Sequence, residues 1–366
     1  MAAFIFFVTL FMLMASTPRA DAAQISAAAL LLRVDQLGKG DYEKIQDAID
    51  AVPSDNREAV FILVEPGIYN EKIVVPTDKA FITLSGSKPN GTIITGSDSG
   101  NIFESATFTM LASDFVGQYL TIQDTLLDDT GRHYYNNCYI EGAVDFIFGN
   151  ATSLFERCHL HTLSEGGASI IAQRKESPSE KTRFIFQGCK ITGVKTDVLG
   201  RPWGPYSRVI FALTYMSNVI LPQGWDDWGD SSRQSMVFYR EYKCYGLEAN
   251  NRKRVEWSQQ LTAKEAEIFL TKNMIWGKSW IKSTPNGSYL DAVAGVPSDL
   301  KGCRTLGVCL KPFWGRLEVE KPLLVIVKFR PDLGISTPDP GSPENRDEKT
   351  PFLQSPAIGG RGLRHQ

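Results

Sequence analysis

The middle of the chain carries a repeated motif whose length limits the folds that it can adopt. At 135–140, 155–160 and 186–191 an aromatic residue is followed three positions later by cysteine and five positions later by an aliphatic residue. The three cysteines are therefore 20 and 31 residues apart, a length typical of coils built from short strands and turns. A β-sandwich with coincidental motifs is the alternative, but sandwiches show turn signals about every 8–12 residues. We therefore predict an all-β fold, a parallel β-helix in which like residues stack on successive coils.

The chain before this repeat supports the same architecture. Short runs rich in β-branched residues, broken by Gly, Asn and Asp, predict strands at 61–64, 72–75, 81–84 and 92–94. The segment Tyr42–Val52 has apolar residues at helical spacing and predicts an amphipathic helix. Because the open end of a solenoid exposes strand edges, we expect this helix to cap the N-terminal end.

The composition excludes several classes of protein. Of 366 residues, 43% are hydrophobic and 22% are charged, as in a globular protein, and the net charge is only -2. This balance provides no basic field for nucleic acid, and no nucleic-acid-binding motif is present, so we expect no nucleic-acid partner. The chain also has no Cys-x-x-Cys pair, no Gly-x-Ser-x-Gly motif and no Gly-rich phosphate loop.

The N-terminus predicts secretion. The apolar run Phe4–Met14 is followed by the small-residue triplet Ala20-Asp21-Ala22, as in a cleaved signal peptide. A buried N-terminal helix is the alternative, but no charged residue interrupts the run. The run is too short to cross a bilayer, which needs roughly 20 apolar residues, and no other uncharged segment is long enough. We therefore expect a secreted, extracellular protein that does not bind a membrane.

The chain is accordingly expected to have three parts. Residues 1–22 form the signal peptide, 23–285 the β-helix domain and 286–366 an atypical tail. The tail is rich in Pro, Gly, Ser and charged residues from residue 331 onward, so we expect much of it to be disordered. Asn90, Asn150 and Asn286 each begin an acceptor pattern for N-glycosylation, which is consistent with secretion.

Two aspartates lie inside otherwise apolar strand runs. Asp124 and Asp145 are 21 residues apart, nearly the shorter repeat interval, so their carboxylates would stack on one face of adjacent coils. Close carboxylates cannot both ionise cheaply, so one remains a nucleophile or base while the other keeps a proton as general acid. A single aspartate would be interpreted as a turn or capping residue, whereas the pair at coil spacing favours a catalytic site.

Two residues farther along the chain are candidates for the same site. Arg201 carries a guanidinium group suited to hold the ionised aspartate by a bidentate contact. Trp203 offers a flat apolar face for a sugar ring. The alternatives are a solvated turn for Arg201 and plain core packing for Trp203.

Four ordered motifs resemble the signature set of plant pectinesterases (pectin methylesterases). They are Gly-Ile-Tyr-Asn-Glu at 67–71, Gln-Asp-Thr-Leu at 123–126, Asp-Phe-Ile-Phe-Gly-Asn-Ala at 145–151 and Leu-Gly-Arg-Pro-Trp at 199–203. The resemblance extends from about residue 34 to residue 280 and is to the form without an inhibitor-like pro-region. It implies a right-handed parallel β-helix and an aspartyl-esterase mechanism.

The resemblance also implies a role for each matching residue. Asp145 would be the nucleophile that attacks the C6 methyl ester of galacturonate, and Asp124 the acid for departing methanol and later the base for water. Gln123 would donate to the oxyanion, Arg201 would orient Asp145, and Trp203 would contact the pectin chain. No cofactor or metal is implied. We expect a cell-wall protein, a monomer, with pectin as substrate and proteinaceous pectinesterase inhibitors as further partners.

The chain departs from the family at one internal position. Family members carry a further stretch between the Leu-Thr-Ile strand and the Gln-Asp-Thr-Leu motif, whereas here Leu120-Thr121-Ile122 runs directly into Gln123. The missing stretch holds a second oxyanion glutamine and a cysteine. Because losing one oxyanion donor costs roughly 10²–10³ in kcat, we expect turnover below the family norm. We also expect Cys138 to be unpaired and Cys158 to be bonded to Cys189.

Three functions remain in competition. The first is a secreted carbohydrate esterase that releases methanol from homogalacturonan during cell-wall modification and pectin catabolism. The second is a catalytically impaired pectin-binding remnant that lacks one oxyanion glutamine. The third is another β-helix activity, the cleavage of pectin by hydrolysis or elimination. The ordered motifs favour the esterase.

Overall fold

The structure, a computed structural model, describes residues 30–88, 90–96 and 100–282, and its strands form three parallel sheets. The ten-stranded sheet contains β1 (Leu30–Val34), β2 (Val60–Val64), β5 (Ile82–Gly86), β8 (Phe115–Gln118), β11 (Arg132–Asn136), β14 (Thr152–Glu156), β17 (Arg183–Gln187), β20 (Arg208–Ala212), β22 (Phe238–Tyr242) and β23 (Gln259–Gln260). The seven-stranded sheet contains β3 (Gly67–Asn70), β6 (Thr92–Thr95), β9 (Leu120–Gln123), β12 (Tyr139–Gly142), β15 (His159–Thr162), β18 (Lys190–Gly193) and β21 (Tyr215–Met216). The six-stranded sheet contains β4 (Ile73–Val75), β7 (Phe108–Met110), β10 (Leu126–Asp128), β13 (Ile147–Gly149), β16 (Ser169–Gln173) and β19 (Val198–Gly200).

Successive strands pass from one sheet to the next, and the chain returns to the same sheet after one coil. Strands β11, β12 and β13, for example, pair in parallel with β14, β15 and β16. Hairpin connections would give antiparallel neighbours, so this order is that of a parallel β-helix. The predicted fold class is confirmed, and so are the four strands predicted before the repeat, with bounds that differ by one or two residues.

The aromatic residues of the repeat form a column inside the solenoid. Tyr135 pairs in register with Phe155 and Phe155 with Phe186, and the ring centroids are 4.7 and 4.6 Å apart. Phe211 continues the column at 4.6 Å. All four side chains are fully buried. Because aromatic rings bury more apolar area than other side chains, the repeated motif supplies much of the core of these coils.

Helix α1 (Ile45–Asp50) covers the N-terminal end of the solenoid, as predicted. Its buried residues Ile45, Ala48 and Ile49 belong to the main apolar core. The helix is shorter than the predicted segment because Tyr42 forms a parallel bridge with Val34, which keeps the preceding backbone extended.

The other helices among the described residues are short. They are α2 (Ile102–Ser105), α3 (Ala263–Glu267) and α4 (Gly277–Trp280), with 3-10 turns at Ser231–Ser235, Asn251–Lys253 and Lys272–Ile275. Buried Ile275 and Trp280 pack on the outer face of the ten-stranded sheet, against Tyr134 and Leu154 among others. The segment 272–280 thereby covers that face, while Ile102 of α2 packs on the six-stranded sheet, against Leu127, Phe148 and Ala172.

The cysteines of the repeat are free, so the predicted Cys158–Cys189 disulfide is wrong, whereas the prediction that Cys138 is unpaired is confirmed. Each sulfur instead contacts a backbone carbonyl of the preceding coil. The distances are 3.5 Å from Cys138 Sγ to Gly117 O, 3.6 Å from Cys158 Sγ to Tyr135 O and 3.3 Å from Cys189 Sγ to Phe155 O. The thiols therefore behave as buried small side chains with a weak donor.

The buried thiols are expected to resist modification in the folded protein. Burial raises the pKa of the Cys138 and Cys158 thiols well above its ordinary value, so little reactive thiolate forms. Iodoacetamide should leave Cys138, Cys158 and Cys189 unmodified at pH 7.5 and should alkylate all three after unfolding in urea without reductant. Peptide mapping measures both states, and alkylation of Cys158 and Cys189 that requires a reductant would show a disulfide instead.

Some expectations concern parts of the chain that are not described. The signal peptide (1–22), the Asn286 acceptor and the tail (286–366) lie outside the described residues. Between residues 30 and 282, no described helix has the length and apolar character needed to cross a membrane.

Candidate active site

Both candidate aspartates occupy tight turns that lead from the seven-stranded sheet into the six-stranded sheet. Asp124 has φ of 90° and Asp145 has φ of 49°, the left-handed region that costs most residues free energy. Aspartate tolerates this region better than bulky residues because its short carboxyl can bond locally.

The register of the coils brings the two turns next to each other. Leu126 of β10 pairs with Ile147 of β13, and two residues before each of them lie Asp124 and Asp145. Backbone hydrogen bonds on both sides fix this arrangement: Asp124 N donates to Glu141 O at 2.8 Å, and Leu126 N donates to Phe146 O at 2.8 Å. The coil spacing of the sequence therefore corresponds to neighbouring positions in the structure.

Asp145 forms the main ion pair of this region. Its carboxylate is only 2% exposed and accepts bonds from Arg201, with Nε at 3.0 Å from Oδ1 and Nη2 at 2.5 Å from Oδ2. This bidentate contact stabilises the ionised carboxylate and fixes its orientation. The guanidinium carbon of Arg201 also lies 4.2 Å from the ring centroid of Trp228, a cation–π contact. The predicted association of Arg201 with Asp145 is present.

Asp124 has a different environment. Its side chain is exposed on one side, and no cation pairs with it among the contacts of the described residues. The protein packed against the remainder of the carboxyl raises its pKa above the ordinary value, and a hydrogen bond from the Thr125 side chain partly offsets this effect. The two carboxyl groups are therefore inequivalent: Asp145 is bound to a guanidinium group, while Asp124 keeps its proton to a higher pH than an ordinary aspartate.

Gln123 is oriented by a neighbour on the next coil. Its Nε2 donates to Glu141 Oε1 at 2.8 Å, on the outer face of the seven-stranded sheet. Among the described residues, the other side of the site shows no equivalent amide, because β7 pairs directly with β10, with Phe108 opposite Leu126. The coil before Asp124 therefore presents Ser105, Ala106 and Thr107 at this edge.

Aromatic side chains form a cleft beside the carboxyl groups. Trp203 lies 5.2 Å from Phe148, 5.8 Å from Phe103 and 5.8 Å from Trp228, measured between ring centroids. The cleft has a volume of about 480 Å³ and is lined by Phe103, Arg174, Trp203, Trp228 and Arg233. Flat rings at the edge of a cleft suit the apolar faces of sugars, and the indole nitrogen of Trp203 has no hydrogen-bond partner among the residues that the structure describes.

Four of the five residues that line the cleft were not predicted from the sequence. Phe103 comes from helix α2, which was not predicted, and Arg174 and Arg233 showed no motif. Trp228 offered one signal, since it follows Trp225 in an aromatic and acidic run, but Trp225 is core and only Trp228 is exposed. Within the described part of the chain, no three His, Cys, Asp or Glu side chains are grouped to hold a metal ion.

Comparisons with known proteins agree on one family. The model of the pectinesterase family matches residues 32–126 and 118–278, two segments that overlap near the position of the missing stretch. The chain is similar to pectinesterase 11 of Arabidopsis thaliana, with 50% identity over 71% of this chain and 83% of that protein. Among solved structures it is similar to a pectin methylesterase from carrot, with 28% identity, a TM-score of 0.60 and coverage of 70% of this chain and 96% of the other. A pectin methylesterase from Aspergillus niger has 27% identity and a TM-score of 0.56, with coverage of 70% and 96%.

Proposed function

The chain belongs to the pectinesterase family and is a carboxylic ester hydrolase, a pectin methylesterase, and we propose that Asp145 and Asp124 perform its chemistry. The single observation that carries this assignment is the buried, Arg201-bound carboxylate of Asp145 beside the more proton-retaining Asp124 on the neighbouring coil. The non-catalytic alternative is not favoured, because pectin binding alone would not need a guanidinium-bound carboxylate beside a more proton-retaining carboxyl group on the neighbouring coil.

The proposed reaction has two steps. The Asp145 carboxylate attacks the C6 carbonyl carbon, and the bond to the methoxy oxygen breaks as Asp124 gives it a proton, so that methanol leaves and an acyl-enzyme remains. Asp124, now ionised, takes a proton from water, which attacks the acyl carbon and releases Asp145 and the free galacturonate. Gln123 donates a hydrogen bond to the oxyanion in both steps. Trp203 and Trp228 hold the sugar chain in the cleft.

Methanol release from highly methylated pectin tests the function. The purified protein should release methanol while the length of the polysaccharide stays constant. Chain shortening, or formation of unsaturated ends, would indicate the pectin-cleaving alternative. Turnover below the family norm remains a prediction; it is supported by the edge formed by Ser105, Ala106 and Thr107, which offers no second amide donor.

The pH dependence of the first step should report on Asp124. The acid form of Asp124 is required, so kcat/KM falls as pH rises through its pKa, which burial has raised. The hydrogen bond from Thr125 favours the ionised form and lowers this pKa. Thr125→Val should therefore raise the pKa further and move the basic limb of the kcat/KM profile to higher pH.

Thr83→Val provides the matched control for this change. Thr83 is as buried as Thr125, at 7% against 8% exposure, but lies in β5 of the ten-stranded sheet. Its substitution should leave the basic limb in place. If the basic limb of the kcat/KM profile stays at its wild-type pH in Thr125→Val, or moves to lower pH, then a group other than Asp124 causes it.

We also propose that the protein is secreted, acts in the cell wall as a monomer and is recognised by proteinaceous pectinesterase inhibitors. Secretion is supported by the apolar run at Phe4–Met14 and by the plant relatives. Of the two acceptor asparagines within the described residues, Asn90 is exposed, whereas the amide of Asn150 donates to Glu180 at 2.9 Å. Asn90 is therefore the better candidate for glycosylation.

A further inference from the structure

We infer that Glu141 is a positioning residue for this reaction, because its carboxylate binds the amide nitrogen of Gln123 and so fixes the orientation of that amide. Both residues belong to the outer row of the seven-stranded sheet, the line of outward-facing side chains formed by Gln123, Glu141 and His161. The inference rests on the proposed role of Gln123 as oxyanion donor. Gln123 of β9 lies directly opposite Glu141 of β12 in the register, and both side chains point outward. The contact between them is 2.8 Å from Nε2 to Oε1.

The chemistry of the two groups makes this contact directional. A free glutamine amide can rotate by half a turn and present either its oxygen or its nitrogen. An ionised carboxylate has only acceptors, so it must receive an N–H from Gln123 and cannot bond to the amide oxygen. One N–H of Gln123 is thus used by Glu141, and the second N–H of the same nitrogen stays available beside Asp124. Without Glu141 the amide could turn its oxygen toward the developing oxyanion. The two negatively polarised oxygens would then repel each other.

The surroundings keep Glu141 in this orientation. Its second oxygen, Oε2, accepts a bond from Tyr139 OH at 2.8 Å, so both ends of the carboxylate are occupied. The next residue in the outer row is His161, a cation at low pH that would compete for the carboxylate. His161 is instead bound to Thr192 Oγ1 at 2.7 Å through Nδ1. Burial also lowers the pKa of His161, although Glu141 opposes this, so the ring is neutral near pH 7.

Glu141→Thr tests the inference with little risk to folding. Threonine suits a half-buried strand position, and Thr192 already occupies the same row two coils further on. Its hydroxyl is too short to reach Gln123. We expect kcat for methanol release to fall about 10- to 100-fold, since misplacement of a donor by about 1 Å costs up to 10² in rate, with KM unchanged within about twofold. Glu141→Gln keeps the length of the side chain but can present either an oxygen or an N–H to Gln123, so it should recover only part of kcat.

A double variant separates positioning from an independent role. If Glu141 acts through Gln123, then Glu141→Thr combined with Gln123→Ala should be no slower than Gln123→Ala alone. Multiplied losses, or a wild-type rate in Glu141→Thr, would overturn the inference. Tyr139→Phe removes the second bond that orients Glu141 but leaves the carboxylate contact with Gln123, so kcat should fall by less than in Glu141→Thr.

Crystal structures of the wild type and of Glu141→Thr at a resolution better than about 1.2 Å, where the amide nitrogen of Gln123 can be told from its oxygen, provide a readout that does not depend on turnover. We expect the Gln123 amide to leave its present orientation in the variant. An amide that stays in place without Glu141 would overturn the inference even if the enzyme is active. A wild-type protein that releases no methanol would overturn the proposed function, and the amide orientation would still decide the role of Glu141.

Discussion

Asp145→Asn is expected to reduce methanol release by about 10⁴-fold or more, the scale seen when a catalytic nucleophile is removed. The amide cannot attack the ester carbonyl as a carboxylate does, and it offers Arg201 no negative charge. Asparagine also tolerates the left-handed conformation that position 145 requires, at φ of 49°, so the backbone turn should persist. The measurement is the initial rate of methanol release, with circular dichroism to show that the fold is retained.

Asp114→Asn is the matched control. Asp114 is likewise a nearly buried aspartate, 5% exposed, at a left-handed turn and paired with an arginine, Arg132 at 2.6 Å. It precedes the ten-stranded sheet rather than the six-stranded one, so the same chemical change there should leave the rate within about twofold. If Asp145→Asn retained a tenth of the wild-type rate, Asp145 would not be the nucleophile.

The fold could be predicted because, in a solenoid, the length of each coil determines the sequence spacing of the residues that stack on one another. Residues one coil apart pair directly, so the spacing of the aromatic and cysteine positions determined which side chains stack. The spacing of Asp124 and Asp145 carried the same information. Spacing places side chains above one another but does not specify their bonds. The Cys158–Cys189 disulfide was expected because the resemblance leaves Cys138 without its usual partner, and both thiols instead contact carbonyl oxygens.

The candidate site was only partly predictable for a related reason. Asp145, Arg201 and Trp203 lie in motifs, and the structure brings them together. Phe103 reaches the cleft from a helix of four residues, too short for a periodic signal. The contact of Glu141 with Gln123 depends on which residue faces outward on two different coils, which no local pattern reveals.

A buried polar cluster lies inside the coil that follows Asp124. Asp128, His133, Tyr135 and Ser153 are all fully buried. Asp128 Oδ1 is 2.8 Å from Tyr135 OH and 2.6 Å from His133 Nδ1, and Ser153 donates to Oδ2. His133 Nε2 lies 2.7 Å from Ala112 O, a carbonyl that can only accept, so this nitrogen carries a hydrogen. Tyr135 and Ser153 therefore both donate to the Asp128 carboxyl group. The contact with His133 Nδ1 needs a hydrogen on one of its two partners, because Nδ1 of a neutral ring that carries its hydrogen on Nε2 can only accept.

Asp128→Leu is expected to destabilise the protein by about 3–5 kcal/mol. The substitution leaves the Tyr135 and Ser153 hydroxyls without an acceptor and His133 Nδ1 without a partner, away from water, and the penalty for such unpaired groups exceeds the apolar gain from leucine. Urea unfolding followed by circular dichroism measures the change as a lower midpoint at an unchanged slope. The loss should spread to the site, because β10 carries Asp128 at its end and follows the Asp124 turn.

Ser153→Ala separates the carboxylate's role from ordinary loss of a buried contact. It removes one donor to Asp128 and leaves the contacts with His133 and Tyr135 in place, so a cost of only about 1 kcal/mol is expected. Because Asp128 contacts three buried groups and Ser153 is only one of them, the loss of unfolding free energy in Asp128→Leu should be several times that in Ser153→Ala. Equal losses in Asp128→Leu and Ser153→Ala would mean that the cluster does not act as a unit and that packing alone sets the stability of this coil.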